Sequence, residues 1–542
     1  IVTIDINFGH DRCNDINLVD GQIVASGYST ENFTSNITCL KLTENGLLND
    51  SFADSGKLVI HAGRSDSYGR RLILLPDNKI IAAGDNGTTY AVSRINTDGT
   101  IDSTFGNGVV YGAIESGTSH ILSGAQITSE NKIILSGYRF DEAFLSRLND
   151  DGSIDSSFGE NGWFLLEDLD FEGSYSAYDL KIQSDNKILI TGNYGSTGFP
   201  SGASDLYIAR LMADGTLDYS FGYYGIFGYG GLTAASGKSL AVCDDEKIIG
   251  AGYYLDDDDK QFPLILKTTT DGNLDNSFGV SGVVKTTVLG DEGIIYDIVQ
   301  NNTGKTICVG HKGDYYDHND VFIMQLDATG NLDTSFSDDG VLIYETEFSS
   351  RLNTVIIDSN QNILTSGYYY NVGTNKDFFT ARITPDGKFD STFGLGGVVI
   401  TPLSEFHDIP YDMIIDSLSR IVVIGGYAEN NDAGFGIVRY IDGYIIPTAI
   451  DEEYTSNSFN VFPNPIKEGK INLQYHLTKN EVVAINLFSS TGTLIQTVCS
   501  NQLQYAGTHN LNLSIKNEMP GGNYFLVITT PTNKISCQFI KL

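Results

Sequence analysis

The stretch DGSIDSSFG at residues 151–159 decides the fold, because it is one copy among several. The string DG-x-(L/I/F)-D-x-(S/T)-F-(G/S) also stands at 98–106, 214–222, 271–279 and 386–394, with looser copies at 45–53 and 329–337. Its phenylalanines, Phe52, Phe105, Phe158, Phe221, Phe278, Phe336 and Phe393, lie 53 to 63 residues apart. A fixed period of that size marks stacked supersecondary units. Outward from this string, an apolar strand ending in glycine recurs eight times, at Gly27, Gly84, Gly137, Gly192, Gly252, Gly310, Gly367 and Gly425. The strand that precedes each DG turn also occurs eight times, as in FLSRLNDDG and FFTARITPDG.

Within a unit the apolar residues alternate or run for four to six positions between Gly, Asn and Asp, which is strand periodicity and too short for helices. In the unit ending near Gly340 the four strands read YDIVQ (296–300), KTICVG (305–310), VFIMQL (321–326) and GVLIY (340–344). Four short strands at this period describe a propeller blade. The expected fold is therefore all-β: an eight-bladed β-propeller over 1–443, with YDIVQ innermost and GVLIY outermost. The eighth unit supplies three strands, YDMIID, RIVVIGG and FGIVRY, and the N-terminal IVTIDI aligns with the missing outer one. That strand would clasp the ring shut and remove an unpaired edge. Residues 444–458 carry Pro, acids and small polar groups and read as a linker. Residues 459–542 hold short alternating strands, among them NLQYHL, VAINLF and NYFLVIT, expected to form a small Ig-like β-sandwich.

Composition narrows the function. The net charge is -35, and the first 457 residues alone carry 27 basic against 65 acidic groups. Such a field repels nucleic-acid phosphates and anionic membrane, so neither is an expected partner. No apolar run reaches the about 18 residues of a membrane span. The opening IVTID is strand-like and lacks the basic start and apolar core of a signal peptide, so export requires Ile1 to be a processed end. Six cysteines are scattered without a CxxC pair. Burial of each as a lone thiol is the plain reading, and Cys13 with Cys39, or Cys499 with Cys537, would be disulfides in an oxidising compartment.

The strings DGTIDSTFGNG, DGSIDSSFGENG and DGNLDNSFGVSG resemble the delta-60 repeat of bacterial secreted proteins, which implies a propeller-like fold over about 440 residues. A second resemblance lies at the C-terminus. FNVFPNP with Phe462, Pro463, Asn464 and Pro465, the segment around Gly492, MPGGNYFLVI with Gly522 and Tyr524, and the terminal KISCQFIKL are similar to the type A sorting domain of the type IX secretion system of Bacteroidota. Phe462 stands where Tyr is common. The resemblance implies steering through the outer membrane to the extracellular, outer-membrane-associated surface, with the translocon, an outer-membrane shuttle protein and a sortase as partners.

No HExxH, G-x-S-x-G or G-x-x-x-x-G-K string is present, and the eight histidines are dispersed. The repeated Asp residues suit calcium by type, but Asp-Gly turns and a Phe anchor account for them as architecture, so no cofactor is expected. The connections leaving the repeated glycines vary most, and variable loops on a rigid frame build ligand faces. Three of them are rich in aromatic and polar groups: YYLDDDDKQF with Tyr253, Tyr254 and Asp256, HKGDYYDHND with His311, Tyr315, Tyr316 and His318, and YYYNVGTNKDF with Tyr368 and Tyr369. Tyr rings stack on sugar faces while Asp and Asn accept hydroxyl hydrogen bonds. The expectation is a non-catalytic surface protein engaging a glycan or protein through this face. A hydrolase at the channel mouth and a structural piece of a larger surface assembly are the alternatives.

Overall fold

The computed structural model describes residues 2–4, 11–31, 34–44, 46–60, 67–86, 88–113, 120–139, 142–166, 173–196, 204–230, 234–313, 319–346, 348–371, 375–394, 396–404, 407–416, 419–429, 432–441, 444–445, 460–462, 470–477, 481–489, 494–505, 507–514, 522–530 and 534–541. The chain divides into two compact units, Ile1–Ile445 and Ile446–Leu542.

The first unit is a succession of antiparallel sheets in which strands pair in sequence order. Gly293–Gln300, Thr306–Lys312, Asp320–Leu326 and Val341–Tyr344 form the sixth of them. Seven such four-stranded sheets lie between Arg12 and Thr401. The eighth draws on both ends of the chain. Ile409–Ile415, Ile421–Glu429 and Asp432–Ile441 are joined by Val2–Ile4, which pairs antiparallel with the last of them, Val2 opposite Ile437 and Ile4 opposite Phe435. Tyr444–Ile445, which the sequence places in the linker, also pairs with that strand, Ile445 opposite Tyr440.

The middle strands are buried along their whole length, as in Ile80–Asp85 and Tyr90–Ile95, because a neighbouring sheet covers each face. A strand covered twice reads as a continuous apolar run rather than an alternation. Ile81, Val92 and Phe105 of the second sheet share a core with Leu122, Ile133 and Phe144 of the third. Ile16, Ile23 and Leu40 of the first do the same with Val422, Ile424 and Ile437 of the eighth.

The repeated string is the fastener between sheets. Asp155 accepts hydrogen bonds from the Ser157 amide at 3.1 Å and the Ser157 hydroxyl at 2.6 Å, and holds Arg147 Nε at 2.7 Å and Lys132 Nζ at 2.6 Å. The Arg147 guanidinium lies 4.7 Å from the centre of the Phe158 ring and donates onward to the Ala213 carbonyl of the next unit. The amide of Gly159 donates to the Asp214 carbonyl of the same following turn at 2.7 Å. Arg94 with Asp102, Arg210 with Asp218 and Arg382 with Asp390 repeat the arrangement, and lysines take the cationic place at Asp275 and Asp333. The DG glycine is required twice over: Gly215 has φ +84°, and a Cβ there would overlap the amide nitrogen of Gly159 and the Phe158 ring.

The thiols of Cys13, Cys39, Cys243, Cys308 and Cys499 are free and buried. Cys13 stands opposite Gly27 and Cys39 opposite Ser26, two strands apart, and they enter different apolar clusters, one on each face of their sheet. Cys499 lies on Leu494–Gln504 and Cys537 on Lys534–Lys541, the opposite edges of a four-stranded sheet. Three strand spacings of about 4.8 Å exceed the reach of a disulfide. Both disulfides considered from the sequence are therefore corrected to free thiols at Cys13, Cys39 and Cys499.

In the second unit Asn460–Phe462, Lys470–Leu477 and Gly507–Ser514 make one sheet, and Leu494–Gln504, Glu481–Ser489, Gly522–Thr529 and Lys534–Lys541 the other. Ile471, Leu473 and Tyr475 from the first meet Val483, Ile485, Leu487 and Leu526 from the second in one core.

Two expectations follow. Burial opposes charge at Asp275, but the Ser277 hydroxyl and Lys247 outweigh it and draw its pKa down to about 2. A native pKa below the unfolded value of about 3.9 contributes stability that is present above that pH and lost as pH falls through the native value. Asp275→Asn should thus lower the melting temperature at pH 7, and the gap to the parent protein should close by pH 2, read by circular dichroism. A Cβ at Gly192 would overlap the Ser176 carbonyl, whereas one at Gly228 meets nothing within 4 Å. Gly192→Ala should cost about 3 kcal/mol in denaturant unfolding, and Gly228→Ala well under about 1 kcal/mol.

Candidate functional site

Each inner strand holds one residue more than its neighbour can pair. The extra residues are Asn14, Arg70, Ser123, Tyr178, Lys238, Tyr296, Asn353 and Tyr411, a β-bulge at the same place in all eight sheets. The register resumes with Cys13 opposite Gly27, Ala177 opposite Gly192 and Ile295 opposite Gly310, so every bulge faces one of the eight repeated glycines. The bulge tips a carbonyl, such as Ile294 O at Gly310, into the space of the missing Cβ. A bulge bends its strand and re-aims the side chains that follow it.

The residues that follow the bulges are Asp15, Arg71, Gly124, Asp179, Ser239, Asp297, Thr354 and Asp412, and all eight line one cavity of about 480 Å³. Every sheet of the first unit contributes to it. Carboxylates stitch its wall. Asp179 accepts from its own neighbour Leu180 N at 2.8 Å and from Leu240 N of the next inner strand at 2.9 Å. Asp15 reaches Leu72 N at 2.7 Å and Asp297 reaches Val355 N at 3.0 Å in the same way. Gln126 bridges to Leu180 O and Ile182 N. At the junction of the eighth and first sheets Asp412 hydrogen-bonds Asp15, and burial together with the Asp15 charge pushes the Asp412 carboxyl well above its ordinary range. Burial also lifts Asp297, to about 6.

Tyr178, Lys238, Tyr296 and Tyr411 also line the cavity, and further aromatic and cationic groups pack on them. Lys238 Nζ sits 4.4 Å from the Tyr178 ring centre and 5.6 Å from that of Tyr253. The Arg351 guanidinium lies 4.5 Å over Tyr296 and 5.4 Å from Tyr368, and Lys376 Nζ lies 4.1 Å from Tyr368. Arg12 covers Tyr411 at 3.9 Å. Such cation–ring contacts strengthen when water is excluded. Burial, then the Arg351 charge, lowers Lys238 to about 8 and His311 to about 4.

Of the residues singled out in the sequence, none of the described ones lines the cavity; Tyr253, His311 and Tyr368, each following a repeated glycine, adjoin its surroundings, Tyr253 beside Lys238, Tyr368 beside Arg351, and the His311 ring 5.6 Å from Tyr296. Their neighbours point elsewhere by strand alternation. Tyr254 meets Phe262 and Lys285, and Tyr369 packs into the apolar cluster between the sixth and seventh sheets. Asp256 closes its own turn, accepting from Asp258 N and Lys260 N at 2.9 Å. Tyr315, Tyr316 and His318 lie outside the described residues, as do Pro463, Asn464, Pro465 and Gly492. Phe462 ends a strand opposite Asn472, Gly522 pairs with Lys541, and Tyr524 is buried. Among the described residues no group of three or more His, Cys, Asp or Glu is placed to hold a metal ion. Nor is any helix among them long and apolar enough to cross a membrane. The cavity residues escape a search by loop composition because they sit on strands. The Tyr-Asp pair at 178–179, 296–297 and 411–412 is the sequence signal that marks them.

The crowding of Lys238 and Arg351 has a measurable consequence. With reductively methylated lysines followed by NMR, one resonance should titrate near pH 8, vanish in Lys238→Gln, and move upward in Arg351→Gln.

Comparison with known families matches residues 75–105, 129–158, 183–221, 243–278 and 362–393 to a family described as domain of unknown function (DUF5122) beta-propeller. Residues 460–542 match the secretion system C-terminal sorting domain. Curated proteins give no significant match. Among solved structures, similarity is found to PorZ, described as an essential bacterial surface component of the type-IX secretion system of human oral-microbiomic Porphyromonas gingivalis, at 9% identity and TM-score 0.32 over 98% of this chain and 86% of that one. Sqt1 from Chaetomium thermophilum is similar at 11% identity and TM-score 0.45, over 80% and 97% of the two chains. Drosophila Semaphorin 2a is similar at 9% and 0.41, over 100% and 97%. Structural likenesses this distant bear on no functional point. The family matches do: the chain is a β-propeller protein of DUF5122 repeats that carries the C-terminal sorting domain of the type IX secretion system of Bacteroidota, and that domain implies export to the cell surface or into the medium.

Proposed function

We propose that this protein is a non-catalytic binding protein of the outer-membrane surface, whose eight sheets are the blades of one closed ring and whose channel mouth takes a glycan or a protein segment. In this reading the C-terminal unit is an Ig-like sandwich that engages the translocon, a shuttle protein and a sortase. The observation that carries the proposal is the cavity that every blade furnishes with one bulge-directed residue. A volume of about 480 Å³ falls within the range of small-ligand sites, about 300–1,000 Å³. Tyr178, Tyr296 and Tyr411 offer flat faces at its wall, and His311 Nδ1, on the ring beside Tyr296, is buried without a hydrogen-bond partner among the described residues. Unsatisfied buried polar atoms carry a desolvation cost that a ligand or an ordered water relieves.

A secreted hydrolase is the second reading, and it draws on the Asp15 and Asp412 pair, two carboxyls sharing a proton at the cavity wall. Both already bond backbone amides, Ile16 N at 2.8 Å and Met413 N at 2.8 Å, which favours a structural role for them.

The test is binding of surface glycans and envelope extracts to the full chain and to Tyr178→Ala/Tyr253→Ala/Tyr296→Ala. The triple variant should lose binding at least about tenfold, a change of about 1.4 kcal/mol, with an unchanged melting temperature. Equal binding by both proteins rejects the channel mouth. Loss of hydrolysis of a screened substrate on Asp412→Asn would instead favour the second reading.

A further inference from the structure

In a chain with 68 acidic and 33 basic residues, a cation without a carboxylate partner needs a reason. Arg70, Arg94, Arg139, Arg147, Arg210, Arg382 and Arg420 each hold an Asp or Glu in the structure, as do Lys79, Lys132, Lys187, Lys247 and Lys305. Arg12, Lys238, Arg351 and Lys376 form no such pair among the described residues; they face tyrosine rings instead. Lys238 lines the cavity, Arg12 and Arg351 lie over its lining residues Tyr411 and Tyr296, and Lys376 shares the Tyr368 ring with Arg351. Arg351 is close enough to disfavour the charged forms of Lys238, His311 and Lys376 together, so their charges repel. Burial adds to the cost of each charge.

We infer that the channel mouth binds a sugar ring bearing an anionic group, with Tyr178, Tyr296 and Tyr411 stacking on ring faces and Arg12, Lys238 and Arg351 holding the anion. The inference rests on the channel-mouth reading above and names its ligand class. A carboxylate or sulfate placed there meets Arg12, Lys238 and Arg351, three cations without a carboxylate pair among the described residues, and a guanidinium presents a fork suited to two oxygens. The buried Arg12 Nε, without a hydrogen-bond partner among the described residues, supplies one donor, and His311 Nδ1, buried and likewise unpartnered among them, supplies another polar contact. A neutral sugar would use the rings and leave the cations uncompensated. The overall negative field of the protein disfavours long polyanions, whereas a mouth of this size selects a short acidic saccharide.

Isothermal titration of the full chain with trigalacturonate, a chondroitin sulfate disaccharide and maltotriose tests this. One or both acidic sugars should bind at least about tenfold more tightly than maltotriose, weaken as salt rises from about 50 to 500 mM, and lose at least about tenfold in Lys238→Gln and in Arg351→Gln. Preference for galacturonate over the sulfated sugar identifies a carboxylate as the anion, and the reverse order a sulfate. Equal binding of all three, indifference to both substitutions, or no binding of either acidic sugar at millimolar concentration overturns the inference. Charge-independent binding that Tyr178→Ala still abolishes would retain the channel mouth and remove only its anionic ligand, while binding untouched by Tyr178→Ala removes both.

Discussion

The structure depends on a mismatch of one residue. Each inner strand carries one position more than its partner can pair, and the surplus is absorbed as a bulge against a glycine whose absent side chain makes room for a carbonyl. The bulge fixes the pairing register, since a shift by one position would drive a Cβ into that carbonyl. It also turns the following side chain into the shared cavity, where Asp15, Asp179 and Asp297 grip the inner strand of the next sheet through its amide nitrogens. One local irregularity therefore sets register, sheet-to-sheet attachment and the lining of the cavity.

Attachment is doubled farther out by the Arg–Asp–Phe fastener, and the two systems divide the charge of the protein between them. At the fastener, cation and carboxylate are matched within the repeat and both are shielded from water. A buried pair of this kind adds little net stability over apolar residues, but losing one partner is costly, so it enforces a unique arrangement of neighbouring units. At the cavity the matching is incomplete: Lys181 pairs with Asp179, but Lys238, Arg12 and Arg351 face tyrosine rings rather than carboxylates. Repetition explains the first pattern and leaves the second unexplained by architecture.

Much of this was legible in the sequence. The strand count, their order within a unit and the joining of the first strand to the last sheet follow from period and alignment, because each repeated position performs one steric task. The eight glycines were visible as a repeated feature, but their purpose was not, since a bulge depends on a partner strand that no local string displays. Loops rich in tyrosine and aspartate are the most visible sign of a ligand face in the sequence. Tyr253, His311 and Tyr368 touch groups beside the cavity without lining it, and Tyr254 and Tyr369, one position on, are turned away by the alternation of the same strands. Asp256 shows the limit of composition from the other side, for an acidic run supplies a turn its own hydrogen bonds. The disulfides considered from spacing fail because strand order, not sequence distance, decides which thiols meet.

The pairing of Val2–Ile4 with Asp432–Ile441 joins segments more than 400 residues apart. Contacts of such long sequence separation form late, because the entropy of closing so large a loop must be met before they return anything. A nascent chain thus reaches the final seam only after its last sheet exists, and until then it is a linear stack with one sticky flank at either extremity. The same seam makes start and finish interchangeable: a rearranged gene that opens the loop between any other two units and splices Ile1 to the end of the repeat array would keep all of the internal contacts.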